Sequence, residues 1–354
     1  MTSLHNRVNA DLLRQQIKSE NRPRKTLSFY QYYHLKNPNL FRDHFYILLS
    51  KFQVLGRIYV SYEGVNAQIS VPEEQVEAFK IGLAEITFLE GIRLNFAIED
   101  DGKSFFKLMI KVRIKIVADG LDDAAFDVTN KGIHLKAEDF NQLADQPDTI
   151  IVDMRNHYES EVGYFKNAIL PDVETFREAL PVVEQILAQD KDKNIIMYCT
   201  GGIRCEKASA YYRHKGFKNV YQVEGGIIEY AKRAKELNIE NKFIGKNFVF
   251  DERLGEKISD DVISKCHQCG EACDDHVNCA NEACHILFLQ CPACATKYED
   301  TCSPRCQSFN NLSVERKAEL RPVAAFNGTK FGKGRYKAHH KESDLEMAYT
   351  DELS

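Results

Sequence analysis

At 354 residues the chain is too long for one ordinary domain, and roughly two or three are expected. Hydrophobic residues at 44% and charged residues at 28% exclude wholesale disorder. A formal charge of -5 excludes a histone-like nucleic-acid wrapper but leaves room for a local basic face.

The opening residues, MTSLHNRVNADLLRQQ, hold no apolar stretch of signal-peptide length. No segment approaches the roughly 18 to 20 apolar residues of a bilayer span, so the expectation is a cytoplasmic protein without a membrane partner. In that compartment the 11 cysteines do not suggest a disulfide framework. Cys199 and Cys205 stand apart, while the other nine crowd into 266–306, which points to two separate chemistries.

Residues 1–118 read as βαββαβ: a strand at 26–33, a helix at 43–52, and strands at 56–62 and 65–71 joined around Glu63-Gly64. A helix at 72–85 follows, with Pro72 early and acids in its first turn, and then strands at 92–98 and 106–116. That order suits a ferredoxin-like α+β domain. The last strand alternates clearly. Phe106, Leu108, Ile110, Val112, Ile114 and Ile116 fall on one face, and Lys107, Met109, Lys111, Arg113 and Lys115 on the other. Lysines guarding an edge strand would look similar. Four cations with Lys103 ahead and no acid among them favour a phosphate-binding surface, so Lys107, Lys111, Arg113 and Lys115 form the candidate nucleic-acid face.

From 145 to 241 the pattern becomes α/β, with apolar strands at 149–152, 194–198 and 220–223 and helices at 175–189, 205–215 and 227–237. Strands separated by helices imply a parallel sheet with active residues beyond the strands' carboxyl ends. There the strand ending at Tyr198 runs into Cys199-Thr200-Gly201-Gly202-Ile203-Arg204. Two glycines let the backbone curl so that its N–H groups point inward, and the following helix adds positive potential. Such a loop makes an anion cradle, with Cys199 as a thiolate nucleophile and Thr200, Gly201, Gly202, Ile203 and Arg204 as its walls.

Cys199-x-x-x-x-Arg204 resembles the active loop of rhodanese domains. The likeness extends to Val152-Asp153-Met154-Arg155 with Glu159, Gly163 and Ala168, and to Val223-Glu224-Gly225-Gly226-Ile227. Four residues between Cys and Arg, rather than the five of cysteine phosphatases, resemble the sulfur-handling version that carries a cysteine persulfide. Tyr164 and Tyr230 depart from the usual His and Trp of the pattern. Over nearly its whole length the chain is similar to bacterial rhodanese-domain tRNA uridine hydroxylases. The stretches that carry this are 60–70 (VSYEGVNAQIS), 153–159 (DMRNHYE), 197–207 (MYCTGGIRCEK), 223–230 and 243–253 (FIGKNFVFDER). The resemblance implies oxygen-dependent formation of 5-hydroxyuridine at the wobble position, with molecular oxygen as co-substrate and the tRNA anticodon loop as partner. A plain sulfurtransferase carrying a persulfide on Cys199 is the alternative.

Residues 242–310 read as a Cys-rich module. Cys266-x-x-Cys269 and Cys291-x-x-Cys294 are close to the spacing of a four-cysteine zinc site. Cys279 with Cys284 and Cys302 with Cys306 make two further pairs. A cross-brace or consecutive pairing is open, Cys273 is left over, and His267, His276 and His285 are possible substitutes. A structural zinc role is expected rather than a catalytic one. Residues 311–354 read as a polar, disordered tail, with Arg321, Lys330, Lys333, Arg335, Lys337 and Lys341 ahead of five acids. Neither GxxxxGK[ST] nor GxGxxG occurs, so no nucleotide cofactor is suggested. His157-Tyr158-Glu159 is only half of a two-His-one-carboxylate iron motif.

Overall fold

The computed structural model describes residues 9–20, 22–100, 102–122, 126–322, 324, 326 and 336. The chain divides into two compact units, Met1–Asp260 and Asp261–Ser354.

The first unit opens with α1 (Ala10–Ser19), β1 (Arg24–Tyr32) and α2 (Pro38–Lys51). Asn37 caps α2 by accepting the Leu40 N–H, and Pro38 sits where a missing N–H costs nothing. Next come β2 (Leu55–Ser61), β3 (Gly64–Pro72), α3 (Val76–Ala84), β4 (Asn95–Phe96) and β5 (Leu108–Val112). The strand order is β4-β1-β3-β2-β5, antiparallel except for β2 with β5. This is the expected split βαβ arrangement with one strand added at the β2 edge. At the β2–β3 hairpin Gly64 has φ +135°, and a Cβ there would lie 2.0 Å from the Gln31 carbonyl oxygen.

Register separates the two faces of this sheet. The row Phe29, Ala67, Ile58, Ile110 is buried against α2 and α3. The neighbouring row Tyr30, Asn66, Tyr59, Lys111 necessarily faces the other way.

The expected strand 106–116 is shorter, covering only Leu108–Val112. The chain leaves the ladder after the Arg113 N–H bonds the Val60 carbonyl, because β2 ends at Ser61. Ile114, expected inside, is 91% exposed. Ile116 is buried and donates its N–H to Glu63, at 2.6 Å.

The rest of the unit contains β6 (Ile133–Leu135), α4 (Ala137–Ala144), β7 (Thr149–Asp153), α5 (His157–Ser160), β8 (Gly163–Phe165) and α6 (Phe176–Ile186). It continues with β9 (Asn194–Tyr198), α7 (Ile203–His214), β10 (Asn219–Val223), α8 (Gly226–Leu237), β11 (Phe243–Asn247) and β12 (Glu256–Lys257). The sheet β6-β10-β9-β7 is wholly parallel. Its first strand and α4 lie ahead of residue 145, so the α/β layer starts earlier than the sequence pattern suggests. Both faces are covered, which is why β9 reads as an unbroken apolar run. Ile195 and Met197 pack with Val152, Leu180 and Val183, whereas Ile196 and Tyr198 pack with Phe140, Phe165 and Ile227. β11 pairs with β8, so residues 243–247 belong to this unit and not to the Cys-rich one.

A buried ion network ties the two sheets' surroundings together. The Lys207 ammonium on α7 pairs with Glu63 of the β2–β3 hairpin and, at 2.6 Å, with Asp119. Asp119 also takes Lys115, at 2.6 Å.

The second unit is small: a hairpin of β13 (His276–Asn278) and β14 (Leu287–Leu289), then α9 (Pro292–Tyr298), α10 (Pro304–Asn310) and α11 (Val314–Leu320). Helix α11 falls within the region expected as a tail. Lys330, Lys333, Arg335, Lys337, Lys341 and the terminal acids lie outside the described residues. Among the described residues no helix is long and apolar enough to cross a membrane.

Lys207→Met leaves Glu63 and Asp119 facing each other with only Lys115, on Asp119, to offset the two carboxylates. Breaking a buried pair in this way costs about 3 to 5 kcal/mol, which urea denaturation should register. An unchanged midpoint would show that the network carries no weight.

Candidate active site

β9 delivers Cys199 to the carboxyl edge of the parallel sheet, and α7 begins four residues later. Gly202 takes φ +95° and no side chain caps α7, so the first N–H groups of the helix are left to the Cys199 sulfur. Cys199 sulfur accepts the Gly202 N–H at 3.2 Å and also those of Arg204 and Cys205. The loop is supported from beneath by Gly226, where a Cβ would lie 2.5 Å from the Cys199 carbonyl oxygen. The Ile227 N–H bonds that same oxygen at 3.0 Å. The Gly225-Gly226 motif is thus a close backbone approach.

Cys199 is 1% exposed, and burial by itself would push its thiol up. The Cys205 thiol, the Arg204 charge and the loop N–H groups outweigh burial and pull Cys199 down to about 6. Cys205 moves the opposite way, raised by burial and by its hydrogen bond to Cys199. At neutral pH the pair therefore holds one thiolate and one thiol.

Arg204 commits its fork to Glu159: Nη1 meets Oε1 at 2.6 Å and Nη2 meets Oε2 at 2.7 Å. Glu159 is fully buried on α5, where a capping box with Asn156 fixes it. Burial would raise the Glu159 carboxyl, but Arg204 overrides this and holds it low. Asp153 and Arg155 are equally buried and pair at 2.6 Å, with Arg155 also donating to the Gly163 carbonyl. The upstream motif is therefore scaffolding for the loop.

The sequence pattern gave no sign that the N-terminal sheet lies over this loop. Ser28 and Asn95 stand over Gly201, whose carbonyl accepts from Asn95 at 3.5 Å. Tyr32 donates to the Ile203 carbonyl at 3.3 Å. Tyr30 approaches Gly202 and donates to Glu206 at 3.2 Å, while Glu206 also pairs with Lys131 and His134. Thr200 donates to Glu159 at 3.4 Å.

Of the four expected cations, Lys107, Lys111 and Arg113 gather at the far edge of the same sheet face. Arg57 of β2, which the strand pattern of β5 could not reveal, joins them. Lys111 is lowered by burial and by the charges of Arg113, Arg57 and Lys107, which marks a concentrated positive field. Lys115 is separate, engaged with Asp119 and the Leu121 carbonyl. The row Tyr30, Asn66, Tyr59, Lys111 links the active loop to the basic edge over three strand spacings, about 14 Å.

In the second unit Cys266, Cys269, Cys291 and Cys294 form one group and Cys279, Cys284, Cys302 and Cys306 another, with the ligand atoms of each within 4.8 Å of one another. The pairs interleave as a cross-brace, resolving the alternative left open by spacing. Cys273, His267, His276 and His285 lie outside both groups. Each group could hold a metal ion.

Three family models match the chain: the UPF0176 acylphosphatase-like domain over residues 24–116, the rhodanese-like domain over 136–233, and the rhodanase C-terminal region over 244–307. A tRNA uridine(34) hydroxylase of Pectobacterium atrosepticum is 58% identical over 322 residues, 91% of either chain. One of Photorhabdus laumondii is 55% identical over 339 residues, covering 95% of this chain and 96% of its own. Among solved structures, a rhodanese-like domain protein from Staphylococcus aureus is 25% identical over 28% of this chain and 90% of its own, with a TM-score of 0.24.

Glu159→Gln removes the counter-charge of a buried guanidinium. It should lower stability by about 3 to 5 kcal/mol in chemical denaturation. A loss within the range of an exposed pair, roughly 0 to 1 kcal/mol, would mean that Arg204 does not depend on Glu159.

Proposed function

The chain belongs to the tRNA uridine(34) hydroxylase family, and on that premise we propose that it hydroxylates the wobble uridine of tRNA to 5-hydroxyuridine, with Cys199 as nucleophile and molecular oxygen as co-substrate. The observation that carries this reading is a cysteine sulfur in an N–H cradle at one end of a polar sheet face whose other end is cationic.

The Cys199 thiolate adds to C6 of the uracil ring, which places enolate character at C5 and O4. That carbon can react with oxygen. The loop N–H groups are the donors for developing negative charge, since the Arg204 fork is already held by Glu159. A base in an anticodon loop is cheap to unstack, and Tyr30 and Tyr32 offer aromatic surface beside the cradle. Cys199 is 1% exposed, so the base reaches it only once the side chains over the cradle move aside.

Both four-cysteine groups suit structural zinc. Tetrahedral Zn–S bonds of about 2.3 Å place sulfurs roughly 3.8 Å apart. Cys269–Cys291, Cys284–Cys302 and Cys302–Cys306 lie at 3.6, 3.7 and 3.5 Å, well beyond a disulfide bond. The resulting protein would act in the cytoplasm, where tRNA is modified.

Nucleoside mass spectrometry of total tRNA is the test. Cells lacking the protein should lose 5-hydroxyuridine and its derivatives, and wild type but not Cys199→Ser should restore them, because an alcohol does not ionise at neutral pH. Restoration by the Ser variant would remove Cys199 from the chemistry. A sulfur-for-oxygen product would favour the sulfurtransferase alternative instead.

Changing Arg57, Lys107, Lys111 and Arg113 together to Gln should flatten the slope of log affinity against log salt by roughly three units, at about 0.7 to 0.9 per lost phosphate contact. Lys115→Gln should leave the slope unchanged. An unaltered slope in the quadruple variant would make this an ordinary solvated edge. Metal analysis of protein purified without chelator should find two zinc ions per chain, one for each four-cysteine group. Finding none, with these thiols titrating freely in folded protein, would remove both sites.

A further inference from the structure

We propose that Cys199 and Cys205 act as a dithiol that supplies the two electrons of the hydroxylation, closing to a disulfide once per turnover. The proposal rests on the hydroxylase reading above.

Cys205 is a nucleophilic group that the C6-addition chemistry leaves unused. It sits in the first turn of α7 at 0% exposure, packed in the same apolar cluster as Cys199. Each thiol shifts the other, Cys205 drawing Cys199 down and Cys199 pushing Cys205 up, as befits close neighbours in that cluster. The nine cysteines outside this pair all lie in the second unit, eight of them in the four-cysteine groups. Cys205 is thus the thiol positioned to meet an oxidised Cys199.

Hydroxylation by molecular oxygen places one oxygen atom on C5 and must reduce the other to water, which takes two electrons and two protons. The dithiol accounts for both. After oxygen adds at C5 and is protonated to a hydroperoxide, loss of the C5 proton expels Cys199 from C6 and restores the ring double bond. The freed Cys199 thiolate attacks the distal oxygen. The O–O bond breaks, an S–O bond forms, and the C5-bound oxygen departs as an alkoxide that takes a proton. Cys205 sulfur then displaces hydroxide from the Cys199 sulfenic acid, giving the S–S bond, while the thiol proton completes water. In sum, uridine, oxygen and two thiols yield 5-hydroxyuridine, water and one disulfide. A cellular thiol reductant reopens the bond by exchange. The protonated state of Cys205 keeps it from competing with Cys199 for the ring before that step.

The test uses reduced full-length protein and tRNA carrying an unmodified wobble uridine, in air without added thiol. The expected result is a plateau at about one 5-hydroxyuridine per chain, with Cys199 and Cys205 joined in peptide mapping under alkylation. Dithiothreitol should lift the plateau to many turnovers. Continued turnover without thiol would overturn the proposal, and so would a full plateau with both thiols still alkylatable. In Cys205→Ala the first product should form, leaving Cys199 as a sulfenic acid that dimedone traps. A variant that forms product with Cys199 untrapped and free would also overturn it. If wild type with dithiothreitol makes no 5-hydroxyuridine at all, the hydroxylase reading itself falls, and the dithiol proposal with it.

Discussion

The fold depends on one costly object, the Cys199 sulfur, which is buried in an apolar cluster and whose surroundings favour its charged form. Burial opposes that charge, so the surrounding backbone must supply what water would have given. The Cys205 thiol and three loop N–H groups do so, the latter left uncapped because α7 starts at a glycine in the left-handed region. Arg204 adds a fixed positive charge, but a buried guanidinium is itself expensive. Glu159 meets it with two short hydrogen bonds, and α5 exists at that point to hold Glu159 through its capping box. Each compensation creates the next requirement.

The same logic explains why the N-terminal sheet belongs to this unit. Its inner face is an ordinary apolar core with α2 and α3. Its outer face is polar and aromatic, and one end of it closes over the cradle through Ser28, Tyr30, Tyr32 and Asn95. The Lys207 network fixes the hairpin and the segment around Asp119 to the helix that carries the cradle. On the proposed reading, a surface that covers the Cys199 loop and ends in a cluster of cations would lead a polyanion toward that sulfur.

Much of this was legible in the sequence where the signal is local. Strand, cysteine, paired glycines, arginine and helix follow one another along the chain, so the cradle could be read directly, and 194–198 was placed residue for residue. Period-two alternation found the cation face but overran it. The pattern continues through Ile114 although the neighbouring strand ends at Ser61, and register with a partner is not written in the strand itself. Arg57 and the residues over the loop, Ser28, Tyr30, Tyr32 and Asn95, were invisible for the same reason, since pairing in space brings them together. The four-cysteine groups show the limit in another form: spacing suggested metal-ligand pairs, but only the fold interleaves them.

The central claim is that the fold stabilises a thiolate at Cys199, and thiolate ultraviolet absorbance followed against pH tests it most directly. The difference between wild type and Cys199→Ser isolates this sulfur from the others. The account predicts a single transition with its midpoint drawn down to about 6. A midpoint at or above the ordinary value of about 8.5 would contradict it, because burial would then have won over the cradle.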